Sequence, residues 1–219
     1  MQKLTLSVVG LCVVWLWLGP ETANAKSPQA AASRFIDNGD GTVSDPSAGL
    51  MWEKKTGTPF GAPDPSDVRN VNNTYAWCAG SGPYSSCTNK EGLADGPAFT
   101  VFLATLNNGR AFYQGGQNPG PPTGCFANHC DWRLPSAVEL QGILEGQDCD
   151  KGCIDPVFGA TEPDRYWSAN TDGMSTVAAM TVNFKLGDVD DAEKVSSLYV
   201  RAVRSITAGG AGLKQGQPK

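Results

Sequence analysis

The chain has 219 residues, of which 40% are hydrophobic and 18% are charged, and it carries a formal net charge of −5 with a pI near 4.9. This acidic balance makes nucleic acid and heparin-like polyanions unfavourable partners, because both carry dense negative charge. Weakly charged or cationic ligands are compatible with it.

The N-terminal residues have the pattern of a secretory signal peptide. Lys3 precedes an apolar stretch over residues 4–18, and Ala23-Asn24-Ala25 supplies the small residues at which such peptides are cleaved. The apolar stretch is shorter than the roughly 20 residues that a transmembrane helix needs. We therefore predict a signal peptide over residues 1–25, a spacer over residues 26–33, and export to the periplasm or the cell exterior without a transmembrane segment in the mature chain.

The first motif after the spacer is FIDNGDGTVSD, residues 35–45, whose spaced acids suggest either a calcium loop or a hairpin turn. An EF-type calcium loop needs oxygen ligands at alternate positions and glycine at the sixth. Counting from Asp37 places Gly39 at the third position, and counting from Asn38 places Val43 at the sixth. Neither register fits, whereas Asn-Gly and Asp-Gly are favoured in tight hairpins. The motif therefore predicts a turn between two strands.

The next segments are predicted from residues that interrupt helices and strands and from the spacing of apolar residues. A strand over residues 50–54 precedes a long surface loop over residues 56–73, which contains Gly, Pro, Asp and Asn without apolar periodicity. Residues 98–108 follow an Asp-Gly-Pro start and place Phe and Leu at helical spacing, so they predict a first helix that ends at Gly109. Residues 110–128 are rich in Gly, Pro and Gln and are interpreted as an inserted loop.

A second helix is predicted in DWRLPSAVELQGILEG, residues 131–146. Ser136 and Glu139 have the spacing of a capping box, in which each side chain bonds the other's backbone N–H. The apolar residues that follow lie on one helical face, and Gly146 is expected to end the helix.

Three further strands are predicted over residues 166–169, 178–184 and 198–203, separated by Asn, Asp and Gly turns. Strand groups on both sides of a helix pair predict an α+β domain over residues 34–206, with the chain ends meeting in one sheet. Residues 207–219 have almost no apolar content and are expected to be a disordered tail. The acidic run before the last strand is interpreted as a solvated loop rather than a cation site. Its members are Asp188, Asp190, Asp191 and Glu193.

Six cysteines remain when Cys12 is removed with the predicted signal peptide, and an even number in an exported chain indicates disulfides. The six form three close sequential couples, and short loops have the smallest closure entropy. We therefore predict three pairings. They are Cys78–Cys87, Cys125–Cys130 and Cys149–Cys153. A zinc site is disfavoured, since paired C-x-x-C knuckles are absent and the chain has a single histidine.

Four motifs in order, FIDNGDGTVSDPSAGLMW, DWRLPSAVEL, YWSAN and LYVRAVRS, closely resemble the Lcl C-terminal domain family over residues 35–205. This is a bacterial family of largely unknown function. The resemblance implies a C-type-lectin-like fold, in which a twisted antiparallel sheet carries two helices and long loops, and it implies binding through those loops. The family's namesake resembles an adhesin tip that binds host glycans. The acidic balance and the longer loop before DWRLP depart from that pattern, so the polyanion ligand associated with the namesake is not expected here.

Seven residues of these motifs are interpreted as structural. The large indole rings belong mostly in the core rather than on a sugar-stacking platform. The arginines are expected to form ion pairs that tie the second helix and the last strand to the sheet. The seven residues are Trp52, Trp132, Arg133, Glu139, Trp167, Arg201 and Arg204.

Two further candidates give weak indications of chemistry. Glu162-Pro163-Asp164 resembles the calcium-and-sugar motif of C-type lectins, but residues 167–170 do not supply the Trp-Asn-Asp that accompanies it, so a turn is favoured. His129 is the single histidine and lies beside Cys130, which leaves a serine or cysteine nucleophile without an evident base. We therefore assign no catalytic residue, metal ligand or cofactor, and calcium is the disfavoured alternative.

The favoured hypothesis is an exported, non-catalytic binding module, adhesin-like or envelope-associated, that recognises a glycan or a protein surface through its loops. One alternative is an exported enzyme that works through loop carboxylates. The other is a structural subunit of a surface appendage. The sequence leaves the ligand and the oligomeric state open.

Overall fold

The computed structural model describes residues 33–80, 87, 93–108, 124–146 and 153–206. The predicted signal peptide, the spacer up to residue 32, the predicted inserted loop up to residue 123, Cys149 and the predicted tail lie outside these ranges. No helix within the described ranges combines the length and the apolar character needed to cross a membrane.

Nine strands in the described ranges form three antiparallel sheets. The first sheet has the order β1 (Ile36–Asp37), β2 (Thr42–Asp45), β3 (Leu50–Glu53) and β9 (Val203–Ser205). The second contains β4 (Tyr75–Ala76) and β8 (Ser197–Leu198), and the third has the order β5 (Arg165–Thr171), β6 (Ala178–Asn183) and β7 (Val189–Glu193). Because β9 pairs with β3, the first and last described segments share one sheet, as predicted.

The predicted turn between the first two strands is confirmed. Gly39 and Gly41 adopt φ values of 77° and 89°, a conformation that glycine reaches without steric cost. Asp37 Oδ1 accepts a hydrogen bond from the Gly39 N–H at 3.0 Å, and Asp40 Oδ1 accepts one from the Thr42 N–H at 3.0 Å. The acids of this motif therefore cap the turn.

The first predicted helix is present and ends earlier than expected. A π-helical segment, Ala98–Leu103, continues into α1, Ala104–Leu106. The buried Asn107 side chain then pairs with the backbone of Trp132, donating to its carbonyl at 2.9 Å and accepting from its N–H at 2.9 Å. This pairing leads the chain out of the helix before Gly109.

The second helix, α2, spans Ala137–Gly142, and its capping box is present. Ser136 Oγ accepts a hydrogen bond from the Glu139 N–H at 3.1 Å, and Glu139 Oε2 accepts one from the Ser136 N–H at 2.7 Å. The predicted end at Gly146 is wrong. The helix ends at Gly142 because Leu144 forms a β-bridge with Ile154, which the helical conformation does not permit.

The predicted strand over residues 198–203 is also wrong as a single element. Leu198 pairs with Tyr75 in the second sheet, whereas Val203 pairs with Trp52 in the first. The residues between them cross from one sheet to the other and carry Arg201 into the interior.

The acidic run was expected to be a loop, and most of it forms strand β7. Thr181 of β6 lies opposite Asp190, and Met180 lies opposite Asp191. The side chains of Asp190 and Asp191 are exposed, as a solvated run requires. β7 is the outer strand of its sheet, and this position lets acidic side chains occupy a strand while they stay hydrated.

Two clusters of apolar side chains form the interior. One contains Trp132 and Trp167 and packs against the first helix through Phe102. The other contains Trp52 and lies between the first sheet and Tyr166 of β5. All three tryptophans are 0% exposed, so none of them offers a face to a sugar ring.

Candidate functional site

The loop over residues 57–73 has an ordered backbone that its own side chains hold in place. Asn72 accepts a hydrogen bond from the Gly61 N–H at 2.9 Å and donates to the Thr58 carbonyl at 2.9 Å. Asn73 accepts from the Asp64 N–H at 2.9 Å and donates to the Asp64 carbonyl at 2.8 Å. Bonds of this kind replace regular secondary structure in satisfying the backbone. The segment is therefore a surface loop, as predicted, with a defined conformation.

Phe60 lies in this loop and is 73% exposed. Its φ of 62° is left-handed, which is uncommon for a residue with a large side chain. The Phe60 N–H donates to Glu162 Oε1 at 2.5 Å, and Glu162 is itself only 4% exposed. A buried carboxylate 102 residues away in sequence thus bonds the strained backbone of an exposed aromatic residue.

A shallow groove adjoins the same loop. It has a volume of about 230 Å³ and is lined by Pro63, Pro65, Asn73, Thr74, Tyr75 and Val101. Val101, from the first helix, is 45% exposed. The groove and the exposed phenylalanine give the 57–73 loop an apolar outer surface, which is the kind of surface that marks interaction sites.

The strand before the loop ends in a buried ion pair. Lys55 Nζ lies 3.2 Å from Glu53 Oε1 and 4.2 Å from the centre of the Phe102 ring. Burial lowers the pKa of Lys55 to about 8, although the Glu53 carboxylate acts in the opposite direction. Because Lys55 is only 7% exposed, its amine is shielded from solutes and suits an internal ion pair rather than a reaction with substrate.

Arg201 differs from its prediction. It was expected to form an ion pair, but within the described ranges its guanidinium donates to uncharged oxygens. It bonds the carbonyls of Glu53 at 2.9 Å and Phe158 at 3.1 Å, and Thr161 Oγ1 at 3.1 Å. It is 0% exposed. Arg201 therefore joins the first sheet to the segment before β5, mainly through hydrogen bonds that its guanidinium donates to backbone carbonyls.

The other two arginines form ion pairs. The Arg133 guanidinium donates two hydrogen bonds to the Glu139 carboxylate, at 2.7 and 2.8 Å. These bonds link the first turn of α2 to the segment that precedes the helix. Arg204 Nε lies 2.7 Å from Asp131 Oδ1 and so connects β9 to the same segment. The pKa of Glu139 is lowered: burial raises it, and the bonds from Arg133 and Ser136 more than compensate.

Two of the three predicted disulfides lie fully within the described ranges, Cys78–Cys87 and Cys125–Cys130. Cys153 is disulfide-bonded, and its predicted partner Cys149 lies outside the described ranges. Each of these two disulfides closes a short loop of the chain and holds the two ends of that loop together.

The remaining candidates are placed as follows. Glu162-Pro163-Asp164 forms a bend before β5, and its glutamate bonds the 57–73 loop. His129 packs edge-on to Trp132 at 6.5 Å, and burial together with nearby Arg204 lowers its pKa. Within the described ranges, no three His, Cys, Asp or Glu side chains are grouped as a metal ion would require.

Phe60 and the contact of Glu162 with it were not predicted from the sequence. Phe60 is the one aromatic residue between Trp52 and Tyr75, in a stretch otherwise made of small and polar residues with two valines. An isolated aromatic residue in a Gly- and Pro-rich loop is a detectable pattern. Its contact with Glu162 is not, because the two residues are distant in sequence.

Comparison with known proteins supports the resemblance noted in the motifs. The family model described as "Lcl C-terminal domain" matches residues 41–204. Of the described strands, this range omits β1 and the last residue of β9 and contains all the others. A search of curated proteins finds no match. The chain belongs to the Lcl C-terminal domain family.

Proposed function

We propose that the protein is an exported, non-catalytic binding module with a C-type-lectin-like fold, and that it recognises a protein surface through the 57–73 loop. The observation that carries this proposal is Phe60, a 73% exposed aromatic ring whose backbone is bonded to the buried Glu162. Because this hydrogen bond restrains the backbone that carries the ring, binding through the ring loses less backbone entropy, and aromatic anchors dominate many binding energies.

Hydrogen bonding in the loop favours a protein partner over a glycan. A sugar-binding surface needs polar groups free to bond hydroxyls, but the amides of Asn72 and Asn73 bond backbone atoms within the loop. The groove that adjoins the same loop is lined in part by Pro63 and Pro65. Apolar contacts around an aromatic anchor are typical of the centre of protein interfaces.

The alternatives have less support. A loop-carboxylate enzyme needs free acids, whereas Glu162 bonds Phe60 and Asp67 bonds Thr56 Oγ1 at 2.6 Å. An appendage subunit needs an open sheet edge, whereas β7 carries exposed acids, and Asp190 Oδ1 accepts the Asp191 N–H at 2.9 Å. Charged side chains on an edge strand oppose pairing with another chain.

Export is supported by the disulfides, since such bonds persist in oxidising compartments. The match to a family whose motifs resemble lectin-like domains supports the fold type, and the antiparallel sheets with two short helices are compatible with it.

The test is capture from an envelope extract, identification of the captured protein, and measurement of its affinity as a purified component. Phe60→Asn removes the ring while keeping a residue that tolerates left-handed backbone, so the loop conformation is preserved. We expect about a 30-fold loss of affinity, as for an interface anchor worth about 2 kcal/mol. Met174→Asn is the control, because Met174 is 98% exposed on another loop.

Three outcomes would overturn the proposal: equal affinity for the unmodified protein and Phe60→Asn, equal losses in both variants, or binding on a glycan array without any protein partner. Circular dichroism of both variants establishes that the fold is retained.

A further inference from the structure

We propose that Arg69, on the same loop as Phe60, binds a carboxylate side chain of the protein partner. This inference rests on the proposed function, because it assigns the partner's chemistry at a second point of the same 57–73 loop. The partner segment would present an apolar side chain to Phe60 and an Asp or Glu to Arg69.

The Arg69 guanidinium is held in place by an aromatic ring. Its Cζ lies 4.6 Å from the centre of the Phe126 ring, which packs in turn at 5.3 Å against the buried Trp132. The Arg69 backbone is held as well, since its N–H donates to Asp67 Oδ1 at 3.0 Å and its carbonyl accepts from the Thr56 N–H at 3.0 Å. Stacking on a ring leaves the edge of the guanidinium available for hydrogen bonds.

The Arg69 guanidinium also lacks the partners that four other arginines have, a lack that it shares with Arg165 within the described ranges. Arg34, Arg133 and Arg204 each form an ion pair, and Arg201 is bonded to interior oxygens. The Arg69 guanidinium makes neither an ion pair nor a hydrogen bond with any residue in the described ranges. A guanidinium carries five N–H donors in a fork that matches a carboxylate. The Arg69 guanidinium is partly exposed, fixed in position and unpaired within the described ranges, so it is suited to bind a carboxylate.

The platform beneath Arg69 is itself built at a conformational cost. The Cys125–Cys130 disulfide closes the segment that carries Phe126, and Ala127 and Asn128 adopt φ values of 50° and 60°. Consecutive left-handed residues other than glycine persist only where the surroundings impose them. Gly41 contributes space, because a Cβ at that position would lie 2.8 Å from Arg69 Nη1.

Charge favours a single carboxylate over a polyanion. The protein has a net charge of −5, which repels extended negative chains, while one stacked guanidinium matches one carboxylate. A peptide with isolated acidic side chains meets both conditions.

The experiment uses a blocked Gly-Glu-Gly peptide, which carries one isolated carboxylate, as the probe, with a blocked Gly-Gln-Gly peptide as its neutral counterpart. NMR of the Arg69 Nε–Hε group follows the titration. We expect saturable binding of the glutamate peptide, no binding of the glutamine peptide, loss of binding in Arg69→Gln, and about tenfold weaker binding in Arg69→Lys, which keeps the charge but not the fork. Arg165→Gln is the control, since the Arg165 guanidinium has no ion pair in the described ranges and no aromatic platform.

Absence of saturable peptide binding, or the same loss in Arg165→Gln as in Arg69→Gln, would overturn the inference. So would saturable binding of glucuronate at Arg69 when the peptide does not bind, because the carboxylate would then belong to an acidic sugar. The two proposals fail separately. If the captured partner loses affinity for Phe60→Asn and not for Arg69→Gln, the loop is a protein-binding surface and the carboxylate assignment is wrong.

Discussion

Raising the pH from 8 to 10 removes the proton from Lys55 in the folded protein while the unfolded chain still holds it. Lysine in an unfolded chain has a pKa near 10.5, and burial lowers that of Lys55 to about 8. Between these values the unfolded state binds more protons than the folded state, so the free energy of unfolding rises with pH. The contribution between pH 8 and pH 10 is about 2 kcal/mol, which corresponds to a rise in Tm of about 4–8 °C.

From about pH 9 upward the tyrosines oppose this effect, because tyrosines in the unfolded chain ionise around a pKa of about 10. Burial raises the pKa of Tyr75, Tyr166 and Tyr199, so the folded state retains their protons longer than the unfolded state does. Their ionisation therefore destabilises the folded protein as the pH rises further. Burial also lowers the pKa of Lys194, so the change in stability between pH 8 and pH 10 contains contributions from several groups, and a reference protein without Lys55 is needed to isolate that of Lys55.

The assay is urea unfolding at pH 8, 9 and 10 with the disulfides intact, followed by tryptophan fluorescence. Lys55→Met removes the titrating group, and all other groups cancel in the comparison with the unmodified protein. Because Lys55→Met leaves Glu53 buried without its partner, which costs about 3–5 kcal/mol, Glu53→Gln/Lys55→Met serves as a second reference. We expect the unmodified protein to gain about 2 kcal/mol relative to both references. Parallel pH curves in all three proteins would refute the assignment of a low pKa to this lysine.

Two further predictions concern local polar contacts. Ser136→Ala removes the side-chain acceptor of the Glu139 N–H and should lower the free energy of unfolding by about 1 kcal/mol, measured by urea unfolding at pH 7; an unchanged midpoint would show that the cap is dispensable. The pKa of Asp45 is lowered: burial raises it, but the hydrogen bonds from Arg34 and Ser47 more than compensate. The Asp45 carboxylate therefore stabilises the folded protein above its ordinary pKa of 3.8, and this stabilisation is lost as the pH falls below that value. Asp45→Asn should therefore lose less stability than the unmodified protein between pH 5 and pH 3, and identical losses would contradict this.

Local patterns in the sequence predicted those elements whose causes are also local. Gly39 and Gly41 favour a turn whatever surrounds them, and Ser136 and Glu139 cap α2 from within four residues. The cysteine couples predicted the Cys78–Cys87 and Cys125–Cys130 disulfides, because short loops close with little entropy loss.

Elements that depend on partners distant in sequence could not be predicted in this way. The acids of β7 have the sequence pattern of a loop, and they form a strand because β6 pairs with them. Residues 198–203 have the pattern of one strand, but Leu198 pairs with Tyr75 and Val203 pairs with Trp52, which lie in different sheets. Helix α2 has the periodicity to continue, but the bridge from Leu144 to Ile154 ends it.

By itself, the sequence determined the family, the first turn, the helix cap and the cysteine couples, since each depends on residues close together in the chain. Only the tertiary structure decided what is buried and what is presented. It placed Arg201 against interior carbonyls, left Phe60 exposed while its N–H donates to Glu162, and stacked Arg69 on Phe126. The physical reason is that these arrangements depend on the burial of polar groups, and burial is a property of segments packed together from distant parts of the chain.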